Sequence, residues 1–139
     1  MKKSILLISQ VISKIDMTTL TVYGIKNCNT VKTALEWLRK NEIVFEFHDY
    51  KAKGIDEHKL KDWCKQVGWD RLVNKRGTTW RQLEETLQAS IKNEKSAIAL
   101  MLEKTSVIKR PLLESKGEVI ALGFDEGEFK LVFKVDRKV

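Results

Sequence analysis

Proline and cysteine are scarce in this chain: one proline and two cysteines in 139 residues. Two cysteines, Cys28 and Cys64, build no disulfide framework, and neither stands in a zinc-type cluster. A reducing compartment, the cytoplasm, is therefore expected. Internal repeats and low-complexity stretches are missing, and no apolar run is long enough to cross a bilayer. The absence of any helix-turn-helix or zinc-finger pattern counts against nucleic-acid reading. So does the placement of Trp37, Trp63, Trp69 and Trp80, which are not interleaved with basic residues as a base-stacking platform requires.

What is present is a soluble balance, with 42% hydrophobic and 32% charged residues. The length fits one domain, large enough to bury a core without metal or disulfide staples. The net charge of +7 favours an anionic partner without choosing among a small oxyanion, glutathione, nucleic acid and an acidic protein surface. Residues 1–16 imitate a signal peptide, with two lysines followed by Ile5, Leu6, Leu7 and Ile8. The run is broken at Ser9 and Gln10, and no small-x-small cleavage site follows. These residues are read as an extension outside the fold, with Met17 an alternative start and residues 17–139 as the domain.

Leu20–Tyr23 reads as a short buried strand. A helix follows from about Cys28 to Lys40, because Val31, Ala34, Leu35 and Leu38 share one face. Ile43–His48 alternates and predicts a second strand. After a polar turn at Lys51–Gly54, Asp56 caps a helix with Leu60, Trp63, Cys64 and Val67 on its apolar stripe and Gly68 at its end. Leu72–Thr78 reads as irregular; Thr79 and Gln82 then have capping-box spacing and open another helix. Lys95–Lys104 is helical. Leu112–Glu114 and Val119–Leu122 flank Lys116–Gly117 as a hairpin. Asp125 caps a last helix that should bury Phe129, Val132 and Phe133. The class is α/β. A βαβ unit, helices, a hairpin and a helix give the thioredoxin-like layout: a small mixed sheet flanked by helices, with a helical insertion before the hairpin.

Cys28 is the sharpest feature. It stands where a loop gives way to a helix, so free backbone N–H groups and the positive helix end both stabilise a thiolate. Lys26 and Lys32 add positive charge, and the same N–H groups can bind an oxyanion beside the sulfur. Cys64 shares a stripe with Leu60 and Val67 and reads as core. His48 is read as a hydrogen-bonded strand-end histidine rather than half of a dyad with Asp49, and His58 as solvated. Pro111 enters a hairpin, which places it at an edge or in a special bond geometry. Arg110 before it carries a fork suited to oxyanions and carboxylates.

Three segments, in order, resemble the arsenate reductase (ArsC)/Spx family and its small YffB-type branch. They are Thr21-Val22-Tyr23-Gly24-Ile25-Lys26-Asn27-Cys28-Asn29-Thr30, then Asn74-Lys75-Arg76-Gly77-Thr78-Thr79-Trp80, then Ile108-Lys109-Arg110-Pro111-Leu112-Leu113. The resemblance spans about Thr19 to Val132. It implies a thioredoxin-like fold with a nucleophilic cysteine, Cys28, and an arginine before a cis-proline, Arg110 and Pro111. Thr30 and Lys32 match the polar and basic positions after the nucleophile. Glutaredoxin-linked arsenate reductases have a histidine where this chain has Gly24 and an arginine where it has Asn74, for which Arg76 is a substitute two residues on. Their later arginine has no counterpart in Ala121-Leu122-Gly123-Phe124. The Cys-x-x-Cys of Spx-type regulators is also broken, by Val31.

The resemblance thus implies a thiol oxidoreductase in which Cys28 attacks and Lys26, Asn29, Thr30, Arg76 and Arg110 hold the substrate. No resolving cysteine stands nearby, so glutathione is the expected co-substrate, with no bound cofactor or metal. Arsenate reduction is the special case. The alternative is a Spx-like regulator that docks on RNA polymerase or another protein.

Overall fold

The computed structural model describes residues 19–135; residues 1–18, which include the extension at 1–16 and the alternative start Met17, and the last four residues lie outside that range. Short runs of β-formers with apolar residues on alternating sides give β1 (Leu20–Gly24), β2 (Glu46–Asp49), β3 (Leu112–Ser115) and β4 (Glu118–Leu122). They form one sheet of order β2-β1-β3-β4. β1 runs parallel to β2, with Val22 opposite Phe47, and antiparallel to β3, with Tyr23 opposite Leu112. β3 and β4 are an antiparallel hairpin closed by Lys116 and Gly117, at φ 53° and 81°. The mixed sheet is the expected one.

Alternation along β1 divides the core in two. Leu20 and Val22 face a layer with Ala34, Trp37, Leu38 and Phe129, supplied by α1 (Asn29–Lys40) and the last helix. Tyr23 faces the opposite layer with Leu60, Trp63, Cys64 and Met101. That layer belongs to the helical segment between β2 and β3. It comprises α2 (Tyr50–Lys53), α3 (Glu57–Val67), α4 (Trp69–Leu72), α5 (Thr78–Arg81), α6 (Glu85–Ser90) and α7 (Glu94–Glu103), then a 3₁₀ turn at Thr105–Val107. α8 (Glu126–Phe133) ends the fold. Full burial of a side chain such as Leu38 or Leu60 contributes about 1.5–3 kcal/mol, so both layers are needed.

Local capping set several boundaries. The Asp56 carboxylate accepts from the Lys59 N–H at 2.7 Å and starts α3, while the Asp125 carboxylate accepts from the Glu128 N–H at 2.8 Å and starts α8. Other boundaries differ from the sequence reading. The second strand begins at Glu46 rather than Ile43. Glu42 turns left-handed at φ 60° and the Ile43 N–H bonds back to the Leu38 carbonyl at 2.9 Å, so Ile43 finishes α1 and Val44 is 60% exposed. The turn at Lys51–Gly54 is mostly the short helix α2, capped by Asp49. Thr79 caps nothing: Gly77 precedes α5, and Gln82 ends that single turn. Of the last helix, Phe129 is buried, whereas Val132 and Phe133 are half-buried. Among the described residues no helix is long and apolar enough to cross a membrane.

Candidate functional site

β1 delivers the chain to the site. Gly24, its last residue, packs directly under α1: a Cβ there would stand 2.9 Å from a methyl of Val31. Any side chain at Gly24, histidine included, would require Val31 to shift. Ile25 is buried, then Lys26 and Asn27 are exposed, and Cys28 becomes the N-cap of α1. Its backbone is extended, at φ −145° and ψ 118°, and no side chain caps the helix. Its carbonyl accepts from the Lys32 N–H at 2.9 Å, so the helix is engaged from its first turn. That turn holds no acidic residue of its own to offset its positive end. Cys28 is half-exposed, flanked by exposed Asn29 and Thr30. A reactive group could reach its sulfur from solvent.

The other thiol is placed differently. Cys64 is 6% exposed among Leu60, Trp63 and Ala97 in the opposite core layer. Burial, with a smaller push from Glu94, raises its thiol to about 11. His48 bonds through Nε2 to the Gly54 carbonyl at 2.7 Å, while the Asp49 carboxylate accepts from the Lys51 N–H, so the two form no dyad. His58 is exposed. Trp37, Trp63 and Trp80 are buried; Trp69 is half-buried, and Lys75 Nζ lies 5.5 Å from both the Trp69 and Trp80 rings.

The segment before β3 comes to the same end of the sheet. Leu112 pairs with Tyr23, which puts Pro111 beside the end of β1, and the Arg110–Pro111 bond is cis. The loop is pinned to the segment after α4: the Asn74 N–H donates to the Val107 carbonyl and the Lys109 N–H to the Leu72 carbonyl, both at 2.7 Å. A cleft opens there, lined among others by Thr30, Asn74, Lys109, Arg110, Gly123 and Asp125. Thr30 brings the first turn of α1 to the same cleft as the arginine loop. The pairing of residues 72–74 with 107–109 supplies Asn74, and the β4–α8 junction supplies Gly123 and Asp125.

Arg110 differs from expectation in one respect. Its Nη1 donates to the carbonyls of Ser106 at 2.6 Å and Ile108 at 3.2 Å. The guanidinium therefore supports the fold of its loop as well as lining the cleft, a structural role that the sequence reading of Arg110 as a substrate-holding residue did not include. Its Nε and the hydroxyl of Tyr50 are buried without hydrogen-bond partners among the described residues. Arg76 is exposed, and its place in the cleft is taken by Asn74, whose carboxamide oxygen instead accepts from the Arg76 N–H at 3.2 Å. Lys26 and Asn29 are exposed at the helix terminus and do not line the cleft. Sequence reasoning passed over Lys109; its adjacency to Arg110 and Pro111 was the available signal. Asp125 was read only as a cap. No cluster of metal-ligating side chains occurs among the described residues.

Cys28, the half-exposed N-cap residue of α1, is not among the residues that line the cleft; Thr30, two residues on, carries the same helix end to it, beside the cations of Lys109 and Arg110. An accessible thiol next to such a cleft is suited to attack on an electrophilic sulfur or oxyanion centre. Known proteins share this fold. A protein called YFFB superposes with a TM-score of 0.77 at 43% identity, covering 83% of this chain and 99% of that one. An arsenate reductase (ArsC) related protein from Brucella melitensis gives 0.69 at 41% identity, covering 84% and 96%. An uncharacterised protein of Haemophilus influenzae is 44% identical over 114 residues, 82% of this chain and 98% of its own length. The ArsC family profile matches residues 23–132. With its thioredoxin-like sheet, its helical insertion and that match over most of its length, the chain belongs to the ArsC family.

Proposed function

We propose that this protein is a thiol oxidoreductase in which Cys28 is the nucleophile and glutathione the co-substrate. One observation carries the reading: Cys28 is the half-exposed N-cap of α1, and the chain's other thiol is buried in the opposite core layer. The first fact supplies an accessible attacker at a helix terminus, and the second removes an internal resolving partner. The Cys28 thiolate attacks the glutathionyl sulfur of a glutathione-containing disulfide; a Cys28–glutathione disulfide forms, the old S–S bond breaks, and the other sulfur leaves as a thiolate. A second glutathione attacks the mixed disulfide, releases Cys28 and leaves as oxidised glutathione. Arg110 and Thr30 hold the anionic substrate in the cleft, while Lys26 and Asn29 contribute at the helix terminus. Arg76 remains a peripheral cation. Arsenate would use the same sulfur, displacing one oxygen as water; two glutathiones would then supply the two electrons that yield arsenite.

The alternative, a Spx-like docking protein, has no comparable support in the site. Val31, where a second switch cysteine would stand, is buried under Gly24. The test is mass spectrometry after incubation with oxidised glutathione. A single glutathionyl adduct on Cys28 is expected, with no adduct and no turnover in Cys28→Ser. An unmodified Cys28, or a Cys28→Ser variant that still turns over disulfide, would refute the proposal.

A further inference from the structure

We infer that Lys109 is a second anion-binding cation of the Arg110 cleft, held there by Gly123, and that the cleft takes a ligand with two separate anionic groups rather than one compact oxyanion. This inference rests on the thiol-transfer reading above and specifies its substrate.

Lys109 is fixed at its backbone by the hydrogen bond to the Leu72 carbonyl and by the adjoining bridge between Val73 and Ile108. Its side chain then crosses Gly123. A Cβ on Gly123 would stand 3.2 Å from Lys109 Cε and 4.0 Å from Nζ. Gly123 is itself anchored, its N–H donating to the Pro111 carbonyl at 2.8 Å, and its φ of 87° favours glycine. The bare backbone thus provides a seat along which the lysine stem can lie. Lys109 forms no ion pair among the described residues.

Arg110 approaches the cleft from a different support, the carbonyls of Ser106 and Ile108, which occupy one of its terminal nitrogens. Two cations held on separate supports in one cleft suit two anionic groups, such as the two carboxylates of glutathione. The cleft also holds the Asp125 carboxylate, one oxygen of which accepts from the Glu128 N–H. That carboxylate opposes a compact, highly charged oxyanion and tolerates a ligand carrying its own ammonium group.

The test is calorimetric titration with S-methylglutathione, a thioether that binds without disulfide exchange. Lys109→Gln should weaken binding about tenfold, the scale of one charge-assisted hydrogen bond, with an unchanged melting temperature because the side chain is exposed. Lys109→Arg should restore affinity to within about threefold, since the charge and its hydrogen-bond donors return. The dimethyl ester of the probe, lacking both carboxylates, should bind the parent and Lys109→Gln equally weakly. Gly123→Ala should reproduce the Lys109→Gln defect without altering charge; if the strained variant does not fold, Lys109→Gln still decides. Lys109→Gln binding like the parent while Arg110→Ala is weakened would overturn this inference alone. Tighter binding of sulfate than of S-methylglutathione would overturn the two-group specificity. A parent that does not bind, or an Arg110→Ala variant that binds like the parent, would overturn the thiol-transfer reading together with this one.

Discussion

Removing the carboxylate of Glu114 should be among the most destabilising single changes in the sheet. Its side chain is only 7% exposed and accepts from the Tyr23 hydroxyl at 3.1 Å and the Trp63 indole N–H at 3.0 Å, while Lys59 Nζ lies 3.1 Å away. In Glu114→Ala, Lys59, at 32% exposed, can turn to water, so its share of the loss is small. Tyr23 and Trp63 cannot, being buried, and each orphaned donor costs about 1–3 kcal/mol. The sum is about 2–6 kcal/mol, measurable as a lower urea midpoint at constant slope. A double-mutant cycle separates this cause from simple loss of packing. Tyr23→Phe in the parent should cost about 1.5–3 kcal/mol because a hydrogen bond to a charged acceptor is lost. The same change in Glu114→Ala should be neutral or stabilising, since it deletes a stranded hydroxyl. A loss below about 1 kcal/mol for Glu114→Ala, or an equal effect of Tyr23→Phe in both backgrounds, would refute the reasoning.

Two further outcomes follow from the two core layers and the arginine loop. The Cys64 thiol is raised from 9.0 to about 11, so the unfolded chain gives up that proton first; stability is complete below about pH 9 and falls as pH rises toward 11. At pH 10 the loss should be about 1 kcal/mol, and Cys64→Ala should flatten the slope between pH 9 and 10 while leaving turnover intact. Burial raises Tyr23 and Tyr50 as well, so further loss begins above about pH 10 in all variants. Arg110→Ala should lower stability by about 1–3 kcal/mol, because two carbonyls lose a charged donor, and raise the substrate Kd by about one to two orders of magnitude. A thermal melt that does not move would show that water replaces the guanidinium at those carbonyls.

The sequence was informative wherever local chemistry decided the outcome. Asp56 and Gly68 bound α3 because a cap and a terminating glycine act within a few residues, and Lys116–Gly117 closes its hairpin for the same reason. Cys28 was legible as the N-cap of α1 from the apolar spacing of Val31, Ala34 and Leu38 behind it. The errors came from competing local options and from long-range packing. Thr79 had a capping-box partner in sequence, but Gly77 already occupied the cap position. Ile43 fitted a strand alternation, yet the bond from its N–H to Leu38 kept it in the turn that ends α1. The cleft was the least legible part. Thr30, Lys109 and Gly123 meet only after three distant segments pack; the adjacency of Lys109 to Arg110 and Pro111 marked its neighbourhood, but only packing lays its side chain across a glycine backbone.

The position of β1 in the sheet has a consequence for synthesis. β1 is a central strand, but the partner on one of its sides, β3, begins at Leu112 and pairs Tyr23 with Leu112. A nascent chain that has released β1, α1 and β2 therefore presents a row of unpaired β1 backbone groups until nearly the whole protein has emerged. The helical segment that precedes β3 contributes to only one core layer and cannot cap that row. Ribosome-bound fragments ending before Leu112 should accordingly be the species most prone to pair edge to edge, and those extending past Ser115 should be soluble.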